Sequence, residues 1–155
     1  LQREYRPALE QFGMSRAEVR SKRVWLWSAI DLGMSVAIIE PWRALRDVVA
    51  ARPAVVGCWH WPALLVGAGA VPLVEEFLFR GYLYLILRQN LGEGRAAITV
   101  SAVFAALHGM GAPFMFVFSL IDIYLNDRAG SLLPSLLGHV AWNGSLLLLC
   151  ASIPR

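Results

Sequence analysis

From Ala54 to Leu87 the chain is apolar almost without interruption, and this stretch limits the possible folds more than any other feature. It is too long for one straight membrane-spanning helix of about 20 residues, and Pro62 and Pro72 mark points where a helix would break or bend. The whole chain has 155 residues, of which 57% are hydrophobic and 16% charged. Because a soluble domain carries about 25% charged residues, this composition predicts an integral membrane protein.

The order of the apolar segments predicts an all-α fold, an integral membrane helical bundle of about five apolar helices with short loops. Residues 1–23 are polar and are expected to form an amphipathic lead-in on the membrane surface, and residues 24–155 the membrane-embedded domain. We expect the sequence RALRDVVAARP to connect the first helix to the next, and VVGCWHW to lie at the interface. The expected helices are 24–41, a long tilted helix that ends at Arg88, 96–108, 114–125 and 132–151.

The charge pattern predicts a lipid partner and no nucleic acid. The net charge is only +3, and the basic residues form short clusters beside apolar runs, as in Arg16 to Arg23. No basic stripe is interleaved with aromatic residues, as nucleic acid binding would require. We therefore expect the protein to contact the lipid bilayer. Its expected location is the bacterial inner (plasma) membrane, of which the charge pattern supports only the membrane. Cys58 and Cys150 stand far apart in apolar sequence and are expected to be buried apolar side chains.

Two adjacent carboxylates and an arginine stand inside the long apolar stretch, in the sequence VEEFLFRG. A charged residue at the centre of a membrane helix costs about 2.5–3.5 kcal/mol, so these three need partners. Glu76 and Arg80 are four residues apart and are predicted to pair on one helical face. Glu75 is rotated by about 100° from Glu76, so we expect its partner to come from another helix.

Candidate partners occur on two later apolar helices. His108 ends the sequence FAALH, and His139 and Asn143 stand four apart in HVAWN, on one face of the last helix. Small residues adjoin these positions and would let the helices approach closely. The pattern predicts a tight polar cluster inside the bundle. The small residues are Gly81, Gly109, Gly138 and Gly144.

Two other acidic residues stand in apolar helices. Asp31, in the first expected helix, is predicted to face the bundle or to pair with an arginine. Asp122, in SLIDIY on the fourth expected helix, is not assigned a role in the site.

The three sequences resemble the motifs of the CPBP family, which contains CAAX proteases and bacteriocin-processing enzymes and is also called the ABI family. EEFLFR resembles its E-E-x-x-x-R motif, FAALH its F-x-x-x-H and HVAWN its H-x-x-x-N, in the family's order. The resemblance covers about residues 60–150 and is to the core of the type II CAAX prenyl endopeptidases. It implies an intramembrane endopeptidase, built as a helical bundle, whose substrate is a membrane-associated peptide or protein.

The resemblance also implies roles for the motif residues. Glu75 and His108 would activate a water molecule, while His139 and Asn143 would bind the oxygen that becomes negative when the peptide carbonyl is attacked. This chemistry needs no cofactor. It is also physically coherent, because peptide hydrolysis needs a base and donors directed at the developing oxyanion.

Glu76 and Arg80 would form a supporting ion pair that orients the motif. Several alternatives stay open. Glu75, His108 and His139 would make a three-ligand zinc site, with water in the fourth position. The alternatives to an endopeptidase are a non-catalytic immunity or scaffold protein of the same fold and a carrier of ions or protons.

Overall fold

The structure, a computed structural model, describes residues 16–50 and 65–151 of the chain, and this part is helical without strands. The predicted all-α fold class is therefore confirmed for these residues. Most of the expected lead-in, and the VVGCWHW segment, lie outside them. The helices are α1 (Arg16–Val19), α2 (Lys22–Ala50), the composite motif helix α3 (66–91), α4 (Glu93–Ala106), α5 (Ala112–Ala129) and α6 (Leu133–Ala151).

Helix α2 is longer than the sequence analysis predicts. It continues through Pro41 to Ala50, so the prediction of a connection directly after Pro41 is wrong. A proline removes one intrahelical hydrogen bond, but the residues that follow it include Arg, Ala and Leu, which are among the best helix formers.

Across residues 16–50 and 65–151, no helix combines the length and the apolar content that crossing a membrane requires.

The motif helix α3 alternates between α and π geometry. It consists of a π turn (Val66–Ala70), an α segment (Val71–Glu76), a second π turn (Phe77–Leu83) and a final α segment (Tyr84–Leu91). The residues at the junctions keep right-handed helical backbone angles, so the helix is continuous. π turns inside α-helices occur frequently at functional sites. Here the second one begins directly after the two adjacent glutamates.

The apolar core lies between the motif helix, α4 and α5. Phe79 and Tyr84 from the motif helix pack against Val100 and Phe104 of α4 and Ile123 of α5. Helix α6 packs along α2 on one side and against the first half of the motif helix on the other. This arrangement places the middle of α6 beside the two glutamates.

The turn between α5 and α6 depends on a glycine. Gly130 has φ of 70°, a left-handed conformation that glycine adopts without steric cost. The backbone N–H groups of Gly130 and Ser131 both donate to the carbonyl oxygen of Asn126, at 2.7 and 3.2 Å. The chain therefore reverses tightly, and α6 returns antiparallel to α5.

Candidate active site

A group of charged and ionisable side chains is buried where α2, the motif helix, α5 and α6 meet. All of its members are almost inaccessible to solvent. We call this group the inner cluster. Burial of several charges in one place is expensive unless they pair with one another, so their contacts determine what the cluster can do. The members are Asp31, Glu76, Arg80, Asp122 and His139.

Arg80 lies at the centre of the inner cluster and contacts two carboxylates. Its Nη1 atom is 3.1 Å from Oε1 of Glu76, which is the ion pair that their spacing predicts. Its Nη2 atom donates to Oδ2 of Asp122 at 2.9 Å. The guanidinium carbon also lies 4.2 Å from the centre of the Phe104 ring, a cation–π distance. Asp122 is therefore part of the cluster, although sequence reasoning gave it no role.

His139 lies between the two adjacent glutamates. Its Nδ1 atom is 2.9 Å from Oε1 of Glu76, and its Nε2 atom is 3.5 Å from Oε2 of Glu75. An ionised carboxylate can only accept hydrogen bonds, so the ring donates its Nδ1 hydrogen to Glu76. Glu75 keeps 27% of its side chain exposed. The predicted partner of Glu75 thus comes from α6, and the pair is reachable from outside the cluster.

His108 stands one aromatic ring away from His139. Its Nδ1 atom is 2.7 Å from the carbonyl oxygen of Phe104, which can only accept, so Nδ1 carries the hydrogen. In the neutral ring this leaves Nε2 as an acceptor. The Phe104 ring lies 4.4 Å from the His108 ring and 6.1 Å from the His139 ring, measured between centroids. The first residue of the F-x-x-x-H sequence therefore positions the histidine through both its ring and its carbonyl, which the spacing alone does not reveal.

Asn143 follows His139 by about one helical turn on α6. Its side-chain amide donates to the carbonyl oxygen of Gly67 at 3.1 Å, in the first π turn of the motif helix. An amide nitrogen carries two hydrogens, and this bond uses one of them. The structure therefore brings Glu75 and His139 together directly, connects His108 to them through Phe104, and ties Asn143 to the start of the motif helix.

Close helix packing is clearest at Gly138. A Cβ atom there would lie 2.7 Å from Cγ of Asp31, which is nearer than real Cβ contacts. Asp31 thus faces the bundle against the residue before His139, as predicted. At Gly144 a Cβ would make an ordinary contact of 3.8 Å with Ala68, and at Gly109 it would meet no described residue within 4 Å. The prediction of close approach is therefore confirmed for Gly138, and among the described residues Gly109 has no such contact.

A second group of charged side chains lies further along the same helices, and we call it the outer cluster. Arg88 contacts Asp127 of α5 at 3.2 Å and also pairs with Glu93. The Tyr84 hydroxyl donates to Asp127 at 2.6 Å. A cavity of about 190 Å³ extends from this cluster to Arg80 and does not border Glu75 or His139. It is therefore separate from the candidate catalytic pair.

Metal ligation is the alternative use of these residues. Among the described residues, no group of three or more histidine, cysteine, aspartate or glutamate side chains has an arrangement that could hold a metal ion. Both nitrogens of His139 already face carboxylates, and Nδ1 of His108 faces a carbonyl.

Comparison with known proteins gives one result. The family model described as type II CAAX prenyl endopeptidase Rce1-like matches residues 57–145, which include the three sequence motifs and most of the inner cluster. No curated protein and no solved structure matches the chain significantly.

Proposed function

The chain belongs to the type II CAAX prenyl endopeptidase Rce1-like family, and from this membership we propose that it is an intramembrane endopeptidase. It hydrolyses a peptide bond of a membrane-associated peptide or protein, in the bacterial inner membrane. The family and the apolar composition support the membrane location. The observation that carries the proposal is His139 held between two glutamates, one buried and one partly exposed.

Glu75 and His108 are the proposed groups that activate water. Glu75 is accessible and has a free carboxylate edge, while His108 offers Nε2 as an acceptor. Glu75 takes a proton as the water oxygen bonds to the peptide carbonyl carbon. The proton then passes to the amide nitrogen as the C–N bond breaks, and the products are a carboxylate and an amine. Positioned acid–base groups of this kind accelerate reactions by about 10²–10⁴-fold.

His139 and Asn143 are the proposed donors to the oxyanion. Because the Nδ1 hydrogen of His139 is directed at Glu76, Nε2 can donate only when the ring carries both protons. Glu75 and Glu76 are the counter-charges of that cation. Asn143 retains one amide hydrogen beyond its bond to Gly67. An oxyanion donor is typically worth about 10²–10³ in rate.

Replacement of Glu75 by Gln tests the proposal. Purified protein would be reconstituted in phospholipid vesicles with internally quenched peptides that carry a farnesylated or a palmitoylated anchor and end in a CAAX sequence. We expect Glu75→Gln to lower the cleavage rate by at least about 100-fold, the scale of a lost general base. Glu93→Gln is the matched control, because Glu93 is exposed and lies in the outer cluster. It should retain the wild-type rate.

A second measurement covers substrates that these peptides do not represent. Terminal peptides of membrane proteins would be compared by mass spectrometry between cells that produce wild-type protein and cells that produce Glu75→Gln. Identical profiles, together with no cleavage of the anchored peptides, would contradict the endopeptidase proposal and favour a non-catalytic role.

The proposed mechanism is free of metal, and chelation tests this part separately. We expect the cleavage rate to survive treatment with 1,10-phenanthroline followed by dialysis. A loss that added zinc restores would replace the proposed mechanism with the zinc-dependent alternative.

A further inference from the structure

We propose that Asp122, which lies outside the three sequence motifs, is a positioning residue for the hydrolysis. It fixes Arg80, Arg80 fixes Glu76, and Glu76 sets the orientation of His139. The expected effect of Asp122 on the cleavage rate rests on the proposed function. Its expected effect on the orientation of the His139 ring does not.

The contacts form an unbroken path from α5 to the catalytic pair. Asp122 accepts a hydrogen bond from Nη2 of Arg80 at 2.9 Å. Nη1 of the same guanidinium lies 3.1 Å from Oε1 of Glu76, and this oxygen lies 2.9 Å from Nδ1 of His139. One carboxylate oxygen therefore meets both Arg80 and His139. Any displacement of the guanidinium moves the atom that holds the imidazole ring.

A guanidinium group is suited to this task because it is planar and presents its N–H groups in fixed directions. Nη2 donates a hydrogen bond to Asp122, while Nη1 lies 3.1 Å from Oε1 of Glu76 in an ion pair that is not a hydrogen bond. Asp122 therefore makes the directional contact that sets the rotation of the group. Glu76 alone would contact only one edge of the Arg80 guanidinium, since it stands four residues away on the same helix. Asp122 contacts a second nitrogen of the guanidinium, from α5.

The same anchor reaches the second histidine. The guanidinium carbon of Arg80 lies over the Phe104 ring at 4.2 Å, and the other contacts of that ring include His108 at 4.4 Å. Arg80 thus contacts Glu76, which contacts His139, and Phe104, which contacts His108. The position of Arg80, set by Asp122, therefore affects both proposed catalytic histidines.

The burial of Asp122 supports a functional role over a stabilising one. Its side chain is fully buried, and Oδ1 has no hydrogen-bond partner within residues 16–50 and 65–151, while Oδ2 contacts Arg80. Apolar residues of similar volume often stabilise a protein as well as a buried ion pair does. The buried pair of Asp122 and Arg80 therefore adds little stability over apolar residues, and what it adds is one fixed orientation of the guanidinium.

The test compares Asp122→Asn with Asp127→Asn. Both aspartates are on α5 and both contact an arginine of the motif helix, but Asp127 belongs to the outer cluster. With the farnesylated vesicle-bound peptide, we expect Asp122→Asn to lower kcat about 10- to 100-fold, the size of effect known for loss of a partner that orients a metal-ligating residue. KM should stay unchanged, and Asp127→Asn should keep the wild-type values.

A second readout follows the histidine itself and needs no substrate. With ¹⁵N-labelled histidine rings, the chemical shifts report which nitrogen carries the hydrogen. We expect Asp122→Asn to change the His139 signals and Asp127→Asn to leave them unchanged. If wild-type protein cleaves nothing but the His139 signals respond, the proposed function fails and the positioning role stands. Wild-type kcat and unchanged His139 signals in folded Asp122→Asn would overturn the positioning role.

Arg80→Lys addresses the case in which Asp122→Asn does not fold. Lysine keeps the positive charge between Glu76 and Asp122 but lacks the rigid fork that contacts both. We expect the same fall in kcat and the same change in the His139 signals. If Arg80→Lys has wild-type kcat and wild-type His139 signals, the second anchoring point is unnecessary and the proposal is wrong.

Discussion

The inner and outer clusters contain the same chemical bridge in two environments. In each, an arginine of the motif helix contacts an aspartate of α5, at 2.9 Å for Arg80 and Asp122 and at 3.2 Å for Arg88 and Asp127. The side chains of the inner pair are 1% and 0% exposed, and those of the outer pair 39% and 34%. The two bridges thus have identical residue types at nearly identical distances and differ strongly in their access to solvent.

This difference decides what each bridge can contribute. An exposed ion pair is worth about 0–1 kcal/mol, because water solvates the separated charges almost as well. A buried pair gains little over an apolar pair, yet loss of one partner costs about 3–5 kcal/mol, because the other charge stays buried without compensation. The outer cluster is thus tolerant of change, and the inner cluster holds its members in one arrangement.

The largest expected effect comes from removal of each arginine in turn. Arg80→Met leaves Glu76 and Asp122 buried without their shared cation, so we expect a loss of about 3–5 kcal/mol in the free energy of unfolding. Arg88→Met removes an exposed partner and should cost no more than about 1 kcal/mol. Denaturant titration of both variants in detergent micelles measures the difference. Equal losses would show that burial does not separate the two bridges.

The sequence allowed part of the inner cluster to be predicted. The four-residue spacing of Glu76 and Arg80 predicts their contact, and the rotation of Glu75 predicts a partner from another helix, found in His139. These are local helical rules, which hold wherever the chain is helical. Membership of the family was also predicted from the three motifs.

Other contacts depend on how the helices pack, which the sequence does not state. Nothing in SLIDIY distinguishes an aspartate that faces Arg80 from one that faces another helix. The bond from Asn143 to Gly67 joins residues that are 76 positions apart. The sequence analysis also predicts a connection after Pro41 where α2 continues to Ala50, because a proline and a polar stretch indicate a loop although Arg, Ala and Leu favour helix.

The second prediction concerns two glycines of α6, of which Gly138 lies against Asp31 of the inner cluster and Gly144 lies against the first π turn of the motif helix. A methyl group at Gly138 would meet the buried Asp31 carboxylate, so Gly138→Ala should destabilise the protein by about 1–3 kcal/mol through overpacking. Gly144→Ala would make an ordinary contact with Ala68, and alanine favours helix. We expect Gly144→Ala to be neutral or slightly stabilising in the same unfolding measurement. A neutral Gly138→Ala would mean that Asp31 has room to move.

The third prediction separates stability from activity at Phe104. Phe104→Leu keeps an apolar side chain but leaves part of the buried ring volume empty, so it should cost less than the loss of about 3–5 kcal/mol that a Phe→Ala change causes. It removes the aromatic face that lies against both Arg80 and His108. We therefore expect the cleavage rate of the folded variant to fall well below the wild-type rate, while the free energy of unfolding falls only by this smaller amount. Phe114→Leu is the control, since the ring of Phe114 contacts the rings of Phe118 and Trp142. A rate loss no larger than that of Phe114→Leu would limit Phe104 to packing.

The smallest expected effect is the response of the two bridges to salt. The Debye length falls from about 10 Å at 0.1 M to about 3 Å at 1 M ionic strength, so exposed charges are screened while buried ones are not. The stability change caused by Asp127→Asn, at most about 1 kcal/mol in low salt, should shrink toward zero in 1 M salt. The change caused by Asp122→Asn should be the same at both concentrations, because its carboxylate is inaccessible to ions. Salt dependence of the Asp122→Asn effect would mean that water and ions reach the inner cluster, and the two bridges would then differ only in degree.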